Sequence, residues 1–208
     1  MRGSFVVFEG PDGCGKSTQA LRLVRRLEAA GRRPLHLREP GTTPVGEALR
    51  ELLLAPDRGA WDPRTEALMF FAARSELLRS EVAPALAAGR DVVCERFTPS
   101  TLAYQGQTEE LERFVLELDQ LVVAGELQPD RVLILDLDPR ESLARAGERG
   151  AADGFEARGA GFQERVRRGY LRYAEARPER TAVVVVDGLD PDQVEARIAA
   201  ALEGLGWG

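Results

Sequence analysis

Five short apolar runs, each closed by turn-forming or charged residues, recur along the chain at Phe5–Phe8, Leu35–Leu37, Asp91–Cys94, Arg131–Leu135 and Ala182–Val186. Longer stretches with helical spacing separate them, so strand alternates with helix. The runs are continuous rather than alternating, which implies burial on both faces and hence a parallel sheet between helices. The pattern predicts an α/β fold with five parallel strands, doubly wound. Helices are expected from about Gly15, over Val45–Leu54, Thr65–Leu86, Phe162–Ala176 and Asp190–Leu202, with a loop over Pro56–Pro63. In such a sheet ligands sit beyond the carboxyl ends of the strands, so the residues after each strand are the place to look for chemistry.

After the first strand comes Gly10-x4-Gly15-Lys16-Ser17, a complete P-loop pattern between an apolar run and a helical one. Glycines let successive backbone N–H groups point at phosphate oxygens, and the helix start adds its positive dipole end. The cradle comprises Gly10, Pro11, Asp12, Gly13, Cys14, Gly15, Lys16, Ser17 and Thr18. In it Lys16 would reach the outer phosphates, and Ser17 would place its hydroxyl on Mg²⁺. Lys16 is the only lysine among 28 basic residues. Arginine serves any general need for positive charge, whereas a compact ammonium suits a phosphate cradle.

The later strand ends are less specific. Arg38-Glu39-Pro40 follows the second strand; the pair flanks a turn and reads either as part of the site or as a solvated pair. Glu95-Arg96 closes the third, where an acidic residue near a P-loop is suited to a Mg²⁺-associated carboxylate and Arg96 to a phosphate. Ser100, Thr101, Tyr104 and Gln105 follow, dense in hydroxyls and amides. Phe70 and Arg74, at i and i+4, could sandwich a flat ring or be a core phenylalanine beside a surface arginine. Asp136 and Asp138 end the fourth strand, and Asp138 reads as a helix N-cap before Pro139. Residues 139–180 hold ten arginines against seven acidic residues, and Arg149–Gly154 within them reads as a hinge and loop. A mobile lid over about 145–160 would close arginines, Arg149 or Arg145 first among them, over polyphosphate.

Composition narrows the classes. A chain of 208 residues fits a single domain spanning 1–208, built around the P-loop, with one well-buried core. Its net charge of −6 argues against nucleic acid or a membrane surface as partner. No apolar run approaches a bilayer span and no signal region is visible, so a cytoplasmic location is expected. Two cysteines and one histidine make no His/Cys metal cluster, and His36 in an alternating stretch reads as structural. A switch GTPase needs an Asn/Thr-Lys-x-Asp guanine reader, which a chain with its sole lysine at position 16 cannot supply. A small-molecule kinase needs a second pocket and a closing lid, and this chain has candidates for both. Another nucleoside monophosphate kinase and a slowly hydrolysing nucleotide switch are the alternatives.

The motifs FEGPDGCGKST at 8–18, REPGTT at 38–43, FFAAR at 70–74, ERFTPSTLAYQG at 95–106 and FQERVRRGY at 162–170 together resemble the thymidylate kinase family, along nearly the whole chain. The resemblance implies transfer of the γ-phosphoryl of ATP to dTMP with Mg²⁺, and a homodimer packed through helices. It implies that Phe70 stacks on thymine and Arg74 contacts its edge, while Arg96 and Arg50 hold the acceptor phosphate. Asp12 would help place the acceptor and Mg²⁺, and Tyr104 would favour a deoxy sugar. Ser100, Thr101 and Gln105 would complete the pocket, with Glu39 and Pro40 lining it. Lys16, Asp12, Arg96 and Arg149 are the expected catalytic residues, and Ser17 and Glu95 the expected metal ligands.

The chain departs from the family pattern at two places. The third strand commonly ends in Asp-Arg, and here it ends in Glu95-Arg96, so contact with Mg²⁺ could be direct or through water. The lid commonly reads Asp-Arg-x-Glu, and here it reads Asp153-Gly154-Phe155-Glu156. Arg149, Arg145 or Arg158 would then supply the lid arginine, Arg149 being the leading choice.

Overall fold

The computed structural model describes residues 2–55, 59–123, 125–147 and 159–205. The strands are β1 (Phe5–Glu9), β2 (Leu35–Arg38), β3 (Val92–Glu95), β4 (Arg131–Asp136) and β5 (Thr181–Val185). Each lies within one residue of the apolar run that predicts it. They form one sheet in the order β2-β3-β1-β4-β5, with every neighbouring pair parallel. The connection from β1 leads across β3 to β2, and that from β3 leads back across β1 to β4. These opposite departures open a crevice beyond the carboxyl ends of β1 and β3.

Helices cover both faces, as continuous strand hydrophobicity requires. Val6 and Phe8 of β1 point into one core with Leu23 and Leu27 of α1 (Lys16–Ala29) and with Val194 and Ile198 of α9 (Pro191–Ala201). Phe5 and Val7 point into the other. There they meet Phe71 and Leu77 of α3 (Pro63–Leu77), Ala103 of α5 (Thr98–Gln105) and Tyr170 of α8 (Ala160–Ala176). The helices α2 (Pro44–Leu54), α4 (Ala83–Ala87), α6 (Glu109–Val122) and α7 (Pro139–Gly147) complete the layers.

The long helix expected over Thr65–Leu86 divides. A π-helical turn at Leu78–Val82 separates α3 from α4. Pro84 has no N–H to donate to the carbonyl one turn earlier, and the widened turn absorbs the loss. Two details position the site. Asp138 Oδ1 accepts from the N–H of Arg140, the capping role expected of it. Helix α8 crosses α5 so closely at Gly169 that a Cβ there would lie 2.8 Å from the Cα of Ala103, so α5 is pressed into the crevice by a contact that requires glycine.

Candidate active site

The P-loop turns where its glycines allow. Gly10, Gly13 and Gly15 have φ values of 133°, 82° and 94°, and a Cβ on Gly10 would lie 2.4 Å from the carbonyl oxygen of Leu135. Gly15 ends the loop at the amino terminus of α1. The buried Lys16 ammonium folds back, donating to the carbonyls of Gly10 (2.9 Å) and Pro11 (2.7 Å). A cleft lined by Gly13, Cys14, Gly15, Thr18 and Gln19 opens beside the loop, walled by Val186, Leu189, Pro191 and Val194. Arg145 of α7 lines it too and pairs with Glu141.

All ten residues expected on the acceptor side line one cavity beyond β1, β2 and β3, together with Asp12, Leu54 and Phe97. Arg74 settles the ambiguity of its helical spacing. It is 1% exposed, with its guanidinium 4.5 Å from the Phe71 ring centre and 4.9 Å from that of Phe97. Its Nε donates to Glu39 Oε2 at 2.8 Å and its Nη2 to Thr101 Oγ1 at 3.1 Å. Three buried atoms around this cavity have no protein partner: Arg74 Nη1, Gln105 Oε1 and Glu39 Oε1. Buried polar atoms are nearly always paired, so three orphans at one cavity describe a site shaped for a polar ligand. Burial pushes the Glu39 carboxyl up to about 7, against the pull of Arg74. The other Gln105 amide end is fixed by Glu66 at 2.9 Å, and Arg50 donates to the Pro40 carbonyl at 3.0 Å.

Between the two clefts stands Arg96. Its Nη2 donates to Asp12 Oδ1 at 2.6 Å, and its Nη1 to Ser100 Oγ and Tyr170 Oη, each at 3.0 Å. The Tyr104 hydroxyl donates to Asp12 Oδ2 at 3.2 Å. Burial opposes ionisation of Asp12, yet Arg96 and Lys16 hold its carboxyl well below the usual carboxylate range. Arg96 has φ of 66°, a left-handed conformation costly for any residue with a Cβ.

Several residues that organise this site carry no role in the sequence reading. Glu9, fully buried at the end of β1, accepts from the N–H groups of Phe97 (2.7 Å) and Ser100 (3.2 Å) and from Ser100 Oγ (2.6 Å). It caps α5 from the neighbouring strand and fixes the turn that carries Arg96. A carboxylate directly after an apolar strand run and directly before the P-loop was the available signal. The Ser142 hydroxyl of α7 donates to the Asp12 carbonyl at 2.5 Å, tying the root of the expected lid to the P-loop. Asp136 accepts both arms of Arg167 at 2.7 and 2.8 Å, fixing α8 to β4. His36 reaches Glu95 Oε1 at 3.0 Å, and Ser17 Oγ donates to Glu95 Oε2. Arg149, Arg158 and the segment Asp153–Glu156 lie outside the described residues.

A phosphate loop at one end of a parallel sheet, facing a second cavity that holds unpaired polar atoms, defines the chain as a P-loop kinase of small molecules. The family description "Thymidylate kinase" matches residues 8–198. The chain is 42% identical over 205 residues to a thymidylate kinase of Pseudomonas fluorescens, covering 99% of this chain and 95% of that one. It is 42% identical to one of Caulobacter vibrioides over 95% of each. A crystal structure of thymidylate kinase from Ehrlichia chaffeensis superposes with a TM-score of 0.77 at 29% identity, covering 98% of this chain and all of the other. The chain belongs to the thymidylate kinase family.

Proposed function

We propose that this protein transfers the γ-phosphoryl of ATP to dTMP, giving dTDP and ADP for dTTP synthesis, with the site residues acting as follows. The observation that carries the reading is the set of orphan atoms at the cavity that Phe70 helps to line. A pyrimidine dione ring brings a carbonyl to accept from Arg74 Nη1 and polar edge groups to meet Gln105 and Glu39, while its face stacks on Phe70. An aminopyrimidine would bring an amino group where Arg74 offers a donor, leaving both unpaired in a buried place. Such a mismatch is costly, so the cavity discriminates by chemistry as well as shape.

Phosphoryl transfer asks the protein for alignment and charge neutralisation. Gly10 to Thr18 hold the donor phosphates, with Lys16 redirected from its loop carbonyls onto them, and the cleft reaching Val194 takes the base. Arg96 and Arg50 grip the acceptor phosphate; Asp12 and Tyr170 hold the Arg96 fork in register. Ser100, Thr101, Tyr104 and Gln105 of α5, with Glu39 and Pro40, fix the nucleoside. Ser17 and Glu95 fit Mg²⁺: they present hard oxygens beside the loop, and among the described residues no cluster of three or more His, Cys, Asp or Glu could hold a metal alone. That is the donor set of an ion bound through one carboxylate, phosphates and water. The ion would offset charge on the transferring phosphates. Arg149, in a lid over about 145–160 of one 1–208 domain, closes onto the γ-phosphoryl.

We also propose a cytoplasmic homodimer. No described helix is long and apolar enough to cross a membrane, and α2, α3 and α6 expose Leu52, Leu68 and Leu121. Sedimentation velocity tests the dimer. The activity is tested by ATP consumption with dTMP, dUMP, dCMP, AMP, GMP, UMP or no acceptor, with Mg²⁺ and with EDTA. Preference for dTMP of well over tenfold, abolished by EDTA, is expected. Equal hydrolysis with every acceptor and with none would overturn the acceptor cavity and favour a nucleotide switch.

A further inference from the structure

We infer that His36, the only histidine of the chain, is a positioning residue that holds the Glu95 carboxylate against Ser17 at the proposed cation site. The inference rests on the reading of Ser17 and Glu95 given above. In the β2–β3 register His36 lies beside Val93, and Arg38 beside Glu95. The imidazole therefore leans two residues along the strands toward the carboxyl ends, and its Nε2 stands 3.0 Å from Glu95 Oε1. The other carboxylate oxygen accepts the Ser17 hydroxyl. Each oxygen of Glu95 is thus held by a different donor, one from the sheet and one from the P-loop.

This arrangement answers a mechanical problem. Glutamate has three side-chain torsions, and a carboxylate on so flexible a stem presents no fixed edge to a cation unless something restrains it. Ser17 alone cannot restrain it, because its single proton holds only one carboxylate oxygen and leaves the group free to turn about that bond. His36 supplies the second point of attachment. As the donor its imidazole must carry the proton on Nε2, and the Glu95 side chain, 9% exposed, has little water to replace that bond. Glu95 in turn keeps the Ser17 proton directed away from the cation. Partners of metal-binding carboxylates placed in this way are worth about tenfold or more in metal affinity.

The test reads binding rather than turnover. Mn²⁺ replaces Mg²⁺ in a complex of the protein with ADP, and free Mn²⁺ is followed by electron paramagnetic resonance for the wild type, His36→Leu, His36→Gln and Glu95→Gln. His36 is partly exposed, so Leu is accommodated, and Gln offers an amide N–H close to the place of Nε2. The expected results are a roughly tenfold weaker Mn²⁺ complex for His36→Leu, recovery to within about threefold for His36→Gln, and unchanged dTMP affinity in both. A wild-type Mn²⁺ affinity in His36→Leu alongside a weakened one in Glu95→Gln overturns the role of His36 alone. An unweakened Glu95→Gln overturns the cation site itself. Independently of any variant, ¹⁵N resonance of the single imidazole reports its tautomer, and a bare Nε2 in the wild type also overturns the inference.

Discussion

Arg96 joins two demands that ordinarily conflict, a side chain at the centre of the site and a backbone that disfavours any side chain. Its φ of 66° places its Cβ against the following carbonyl, at a cost of about 1–2 kcal/mol. The turn survives because other bonds fix it: the Arg96 N–H donates to Phe8 O at 2.9 Å, and the next residue's N–H is held by Glu9 at 2.7 Å. Neither bond uses the guanidinium, so the turn stays left-handed when the guanidinium is removed. Arg96→Ala and Arg96→Gly delete the same contacts to Asp12, Ser100 and Tyr170, but only alanine keeps the strain. Glycine gives back about 0.5–1 kcal/mol of that difference through the greater freedom of its unfolded chain. The net expectation is that Arg96→Gly is the more stable by about 0.5–1 kcal/mol, the reverse of the usual order. In a domain of this size that is about 1–4 °C in Tm, readable by calorimetry without nucleotides. Both variants are expected to lose phosphoryl transfer equally. An alanine variant as stable as the glycine variant would refute the reasoning, showing that the guanidinium and not the backbone bonds imposes the turn.

Three further outcomes are expected. Lys16→Ala should lower kcat by about a hundredfold or more with little change in Tm, because several kcal/mol of charge stabilisation leave with the ammonium; near-normal turnover would sink the P-loop assignment. Phe70→Ala should raise KM for dTMP by about tenfold, from the loss of one base stack, and leave KM for ATP unchanged; equal effects on both would contradict stacking. Burial lifts the Glu39 carboxyl to about 7 from its ordinary 4.5, so between those values the folded chain holds a proton that the unfolded chain has released, and stability falls as pH rises through that window. Glu39→Gln should flatten the slope, seen by urea unfolding at pH 5 and pH 8; an unchanged slope would remove Glu39 as its source.

The fold was legible because its signals are local. Continuous apolar runs define buried parallel strands without reference to partners, and the residues after such strands converge at one edge whatever their order. That is why Glu39, Arg96 and the hydroxyls of α5 could be expected to share a site. Helical spacing places Phe70 and Arg74 on one face but not which of them faces inward, and here the arginine is the more deeply buried. It is tolerated there because Glu39, Thr101 and two aromatic rings replace its water, and of those partners only Phe71 lies on its own helix.

What the sequence withheld depends on strand order. Glu9 meets Phe97 and Ser100 across 88 and 91 residues, and His36 meets Glu95 across 59. These contacts exist because β3 lies between β2 and β1, and hydrophobic periodicity carries no information on that order. Glu9 follows the first apolar run and drew no reading there, while His36 sits in an alternating stretch that reads as local structure. Yet both act on the residue pair that ends β3, Glu9 through the backbone after Arg96 and His36 through the Glu95 side chain. The third strand offers its acid and its base in opposite directions, toward the P-loop serine and toward the acceptor cavity. Its neighbours on either side hold each in place, and the spacing between donor and acceptor sites is therefore a property of the sheet rather than of either loop.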